Sequence, residues 1–267
     1  MKKSLVLFAL ILLIYPMTIN SLFAQKLIWS DEFEIEGLPN SENWSYNVGD
    51  HGWGNNELQY YQEANLENSR IENGRLIIEA HADSSLPKGY SSARIVTKGK
   101  KAWKYAYIEV RAKLPEGTGT WPAIWMLPEK NTYGGWPKSG EIDIMEHVGF
   151  DPSVVHGTVH TEAFNHSIGT QVGKQVKIPD FNTAFHVYAI NWTEDKIDFF
   201  IDDDLYFTFE NSGKSSAEWP FDQPFHIILN LAVGGNWGGK EGVDPKIWPQ
   251  RMEVDYVRVY DKKPSSD

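Results

Sequence analysis

Three carboxylates lie close together in Ser139-Gly-Glu141-Ile-Asp143-Ile-Met-Glu146-His-Val-Gly149. Glu141 and Asp143 are two residues apart, so on a β-strand they share a face while Ile142 and Ile144 take the other. Glu146 breaks this parity. A regular strand would turn it inward among the isoleucines, where an unpaired carboxylate is costly. One extra residue near Met145, a β-bulge, returns Glu146 to the face of Glu141 and Asp143. Acids crowded on one face repel, and their pKa values separate. One can keep its proton and act as an acid, while another stays ionised and attacks carbon. Such a pair can cleave a glycosidic bond with retention of configuration. An acidic surface patch or a calcium site are the alternatives that the acids alone leave open.

The elements that must position these groups read as short strands. Alternating or apolar segments cover 75–81, 105–113, 185–192, 197–201, 205–209, 225–233 and 252–260. Asp202-Asp203-Asp204 sits between two of them as a hairpin turn. No segment carries a long capped helical period. Many short strands separated by turn signals predict an antiparallel sandwich. After the acids, Gly149 and Asp151-Pro152 mark a turn, so a strand over 154–161 should return beside the catalytic strand. On it His156, Thr158 and His160 share a face. His160 is then the candidate neighbour of the carboxylates, and His156 is expected beyond the cleft.

Composition narrows the function. The chain has 267 residues, no cysteine and a formal charge of −11. Disulfides, thiolate zinc sites and cysteine nucleophiles are excluded. The acidic balance argues against nucleic acid as a partner and suits a neutral substrate. Eleven tryptophans, several beside Gly or Pro, provide flat apolar rings of the kind that stack on sugar faces. Lys2 and Lys3, an apolar run over 5–15 and the sequence Phe23-Ala24-Gln25 have the layout of a secretory signal peptide. We expect residues 1–24 to be that signal and residues 25–267 to form one catalytic domain. The protein would be a monomer, secreted to the periplasm or the medium, with no membrane anchor after cleavage.

With these residues in view, the chain resembles glycoside hydrolase family 16, and within it the laminarinase branch. Gly140-Glu-Ile-Asp-Ile-Met-Glu146 is similar to that family's active-site signature, in the form that carries the inserted Met. Further similarity lies in Trp53-Gly-Asn-Asn-Glu-Leu-Gln-Tyr-Tyr61, Tyr90-Ser-Ser-Ala-Arg94 and Gly119-Thr-Trp-Pro-Ala-Ile-Trp-Met-Leu127. Trp219-Pro-Phe-Asp222, Leu229-Asn-Leu-Ala-Val-Gly-Gly-Asn-Trp237 and Met252-Glu-Val-Asp-Tyr-Val-Arg-Val-Tyr260 extend it. The resemblance implies an all-β, concanavalin A-like jelly roll of two antiparallel sheets with a concave glycan-binding cleft. It implies endo-hydrolysis of β-1,3-glucan, with mixed β-1,3-1,4-glucan as a further substrate. Glu141 would be the nucleophile, Glu146 the acid/base and Asp143 the group tuning Glu141. Asn56, Arg94, Trp121, Trp125, His160 and Trp237 would bind substrate, with Trp136 at the rim. The resemblance also implies a structural calcium held by Glu32, the carbonyl of Gly74 and Asp255. Alternation in 252–260 agrees with that, since it sets Asp255 on the apolar side with Val257 and Val259. Two other readings compete with this one. A glucan-binding protein without activity would have lost the catalytic glutamates, and a galactan hydrolase would differ in its cleft loops.

Overall fold

The computed structural model describes residues 25–264, so the signal-peptide expectation for residues 1–24 lies outside the described residues. The described chain is built from strands and one 3₁₀ turn, His166–Ile168. None of its helices is long and apolar enough to cross a membrane.

Seventeen strands assemble into a ten-stranded and a seven-stranded sheet. The two pack face to face as a jelly-roll sandwich. In the seven-stranded sheet the order is Val172–Lys177, Val154–His160, Glu141–His147, Thr120–Pro128, Phe225–Val233, Arg94–Val96 and Ser45–Tyr46. The carboxylate strand therefore lies inside the sheet, flanked by Thr120–Pro128 and Val154–His160. One edge strand, Val172–Lys177, exposes Lys174 and Lys177, charges that discourage edge-to-edge pairing.

Alternation explains which face does what. Ile124, Met126, Ile142, Val155, Val159, Leu229 and Leu231 point into one core. Trp121, Ala123, Trp125, Thr158, Asn230 and Ala232, which alternate with them, line a cleft on the other side of the sheet. The bulge appears where parity demands it. Opposite Val154–His160 the register runs Asp143 to Thr158, then Glu146 to His156, three residues advancing against two. Ile144 and Met145 are consecutive yet both in the core. Glu146 is thereby returned to the cleft.

The hairpin expected at Asp202-Asp203-Asp204 is present, with Asp202 and Asp203 at φ 50° and 72°. Joining Lys196–Ile201 to Asp204–Glu210, it has the positive φ at both central residues that a two-residue hairpin favours. Alternation misplaced Asp255. In Gln250–Tyr260 the register slips between Val254 and Tyr256. This second bulge turns Asp255 out of the apolar row, and it is ion-paired to Arg111 Nη1 at 2.6 Å.

Candidate active site

The cleft has a volume of about 460 Å³. It crosses the strands of the seven-stranded sheet, with Glu141, Asp143 and Glu146 in its lining. His160 stands opposite Glu141 in the register. Its Nε2 lies 3.3 Å from Asp143 Oδ2 and 3.8 Å from Glu141 Oε1. The expected neighbour of the acids is in place. His156, expected beyond the cleft, instead faces Glu146 in the register and lines the cleft. Its ring lies 4.9 Å from that of Trp237.

Each glutamate receives an indole N–H. Trp121 Nε1 donates to Glu146 Oε1 at 3.1 Å, and Trp136 Nε1 donates to Glu141 Oε2 at 2.9 Å. Trp136 comes from the loop before the carboxylate strand. Ser139 Oγ donates to Gly134 O and accepts from Tyr133 N, and Gln223 donates to Ser139 O, which pins that loop. Gly140 joins it to Glu141 at φ 87°, and a Cβ there would come within 2.8 Å of Pro220. Only glycine meets both demands.

Burial pushes Glu146 up to about 8, and the charge of Asp143 adds to the shift. At neutral pH Glu146 thus holds the proton that an acid catalyst must give. Burial likewise raises Asp143 to about 8. Its Oδ2 is buried and accepts no hydrogen bond, which favours the protonated form. Glu141 is raised by burial and by the charge of Asp143, whereas His160 and the Trp136 N–H favour its ionised form. Three carboxyls this close ionise in steps that belong to the group. Glu141 must be ionised to attack, and the Trp136 N–H favours its anion, while the His160 imidazole faces both Glu141 and Asp143. Trp136→Phe keeps an aromatic ring and removes the donor. It is expected to move the acidic limb of kcat/KM to higher pH, by up to about one unit. An unmoved limb in a pH–rate profile would mean that the contact does not stabilise the working carboxylate.

On one side of the acids, Trp125 and Trp53 sandwich the Arg94 guanidinium, with centroids 4.7 and 4.8 Å from its carbon. Trp125 Nε1 donates to Asn230 Oδ1 at 2.7 Å. Trp121 and Trp237 meet edge to face with centroids 5.6 Å apart. The structure thus brings Arg94, Trp121, Trp125, His160 and Trp237 together in the lining of one cleft. Asn56 is exposed and ties its side chain to Asn236 at 2.9 Å, while its neighbour Asn55 lines the cleft. Turn geometry decides this, because the chain reverses through Trp53 and Asn56 at positive φ. Sequence reading did not single out Trp53, Glu57, His166, Gln171 or Asn230 as cleft residues. For Asn230 a signal existed, a polar residue in the apolar run Phe225–Val233.

The whole arrangement matches a known family. The family model for glycosyl hydrolases family 16 aligns with residues 29–258. The chain belongs to glycosyl hydrolase family 16. A β-glucanase from Rhodothermus marinus is 58% identical over 242 residues, spanning 88% of this chain and 85% of its own. The crystal structure of the laminarinase from Rhodothermus marinus superposes with a TM-score of 0.87 at 56% identity, covering 90% of this chain and 98% of that one. SCLam, a non-specific endo-β-1,3(4)-glucanase of family 16, gives a TM-score of 0.85 at 46% identity, covering 93% and 95%.

The three residues expected to hold calcium do not form an open cage. The register does gather their segments. Asp31, beside Glu32, pairs with Val257, and Leu76, two past Gly74, pairs with Val254. Both carboxylates are nonetheless engaged by arginines. Glu32 takes two hydrogen bonds from Arg258, at 2.9 and 2.8 Å, and Asp255 takes one from Arg111.

Proposed function

We propose that this family 16 hydrolase is a secreted, retaining endo-β-1,3-glucanase that acts as a monomer. The observation carrying the proposal is the bulged strand that presents Glu141 and Glu146 on one face of a tryptophan-lined cleft. Glu141 attacks the anomeric carbon while Glu146 gives its proton to the departing glycosidic oxygen. A glycosyl ester on Glu141 and a shortened glucan result. Glu146, now ionised, takes a proton from water, whose oxygen attacks the same carbon and releases Glu141. The second displacement restores the original configuration. Asp143, on the same strand face as Glu141, tunes the charge of the nucleophile. No charge on the substrate is needed, because nucleophile and acid are both carboxyls of the protein.

Mixed β-1,3-1,4-glucan is the second substrate we propose, because SCLam, of similar fold and 46% identity, is described as acting without strict linkage preference. Product analysis on laminarin, lichenan and agarose tests the reading. Oligosaccharides from laminarin are expected early in digestion, with lichenan cleaved more slowly and agarose left intact. Agarose cleavage without laminarin cleavage would sink it.

Calcium at Glu32, Gly74 and Asp255 is a proposal about stability alone, since catalysis uses protein carboxyls. The ion would have to displace Arg258 and Arg111, and oxygen donors suit it once freed. Binding to the folded state alone raises the melting temperature by mass action. Melting curves with chelator and with added calcium check this. Coincident curves would show that the arginines keep the acids.

A further inference from the structure

The side of the cleft that carries Arg94 holds a second buried acid that the cleavage mechanism does not use. Glu57 is 5% exposed yet lines the cleft. Its Oε2 accepts from Gln59 Nε2 at 2.6 Å and from Tyr61 Oη at 3.3 Å. Its Oε1 has only a long contact with Asn55, at 3.5 Å. That oxygen retains accepting capacity. Gln59 is itself fixed, because its amide oxygen takes the backbone N–H of Val233. Tyr61 in turn accepts from Asn230, whose oxygen holds the indole of Trp125. A continuous chain of hydrogen bonds thus runs from Glu57 to the stacking ring.

Arg94 faces the same space. It is 8% exposed and held between two indole faces. Its Nε has no hydrogen-bond partner, and its charge and that of Glu57 attract without ion-pair contact among the described residues. Two opposite charges stand apart at a cleft wall, each with unused hydrogen-bonding capacity. A sugar hydroxyl suits such a pair chemically, since it donates one hydrogen and accepts another. Bonds to charged partners are the stronger kind, and an acceptor and a donor fixed in place reject a sugar lacking that hydroxyl.

We propose that Glu57 is a substrate-binding residue that, with Arg94, grips one hydroxyl of a glucosyl unit stacked on the Trp125 side of the catalytic acids. The proposal rests on the glucanase reading above. Glu57 takes no part in the bond cleavage, so it contributes to binding in ground and transition states alike.

Kinetics on laminarin with wild type and Glu57→Gln, and a panel of singly deoxygenated laminaritetraoses, test this. Glu57→Gln is expected to raise KM at least about 10-fold while kcat stays within about 3-fold. Wild type should bind one deoxygenated tetraose much more weakly than the parent, and Glu57→Gln should lose that discrimination. A merely structural Glu57 would lower the melting temperature and leave KM and the discrimination pattern unchanged, which overturns the proposal. Should Glu57→Gln fail to fold, Glu57→Asp keeps the charge and shortens the reach. It is expected to show the same rise in KM, and an unchanged KM there would equally overturn the proposal. A wild type inert on laminarin refutes the glucanase reading and is distinguished by needing no variant.

Discussion

Glu141→Gln is expected to cut turnover on laminarin by roughly 10⁴-fold or more, as loss of a covalent nucleophile does elsewhere, while oligosaccharide binding persists. The amide keeps the shape of the carboxyl and can still meet Trp136, whose N–H lies 2.9 Å from Glu141 Oε2. What it cannot do is form the glycosyl ester. Turnover and affinity must be measured separately, by reducing-sugar release and by calorimetry. Activity within tenfold of wild type would remove Glu141 from its role. Loss of affinity alongside unchanged kcat would make it a binding residue.

The second large effect is expected at Glu146 and depends on the leaving group. Glu146→Ala should slow laminarin cleavage about 10²–10⁴-fold, the usual contribution of a positioned acid. An aryl glycoside with a good leaving group needs no such proton, so its first step should be nearly spared. Added azide should then yield a β-glycosyl azide, the small anion entering where the missing base would have activated water. An equal slowing of both substrates would point to another acid. The pH profile gives an independent check. Burial places the Glu146 carboxyl at about 8, so in wild type kcat/KM should fall as pH passes that value and the acid loses its proton. Stability should follow the same titration. A carboxyl whose folded pKa is raised stabilises the fold fully below its unfolded pKa, and that contribution is lost as pH rises toward 8. Glu146→Gln removes the buried charge, so it should raise the melting temperature more at pH 8 than at pH 5.

The part of this site legible in the sequence is the part written along single strands. Glu141, Asp143 and Glu146 break a two-residue alternation in a way that one bulge repairs, and the register contains that bulge. His160 followed from the turn at 149–152, because an antiparallel return fixes who sits opposite whom. The same logic failed at Asp255, where an unseen bulge reversed the face. A lone acid amid valines does not reveal whether the strand slips or the acid is buried. Tertiary contacts between loops were beyond reach. Nothing local ties Trp136 to Glu141, since that bond depends on Gly140 and the packing of Pro220 and Phe221 against it. Glu57 and Trp53 enter the wall through a reversal at positive φ, and side-chain periodicity carries no information through such a turn. That reversal also separates Asn55, which lines the cleft, from the neighbouring Asn56.

The stereochemical course of hydrolysis tests the central claim most directly. Proton NMR of laminari-oligosaccharide cleavage, recorded before mutarotation, resolves the anomer first formed at the new reducing end. A double displacement through Glu141, with Glu146 serving first as acid and then as base, predicts that the β anomer appears first and the α anomer grows in later. Initial appearance of the α anomer would show a single displacement by water and would contradict the assignment of Glu141 as nucleophile.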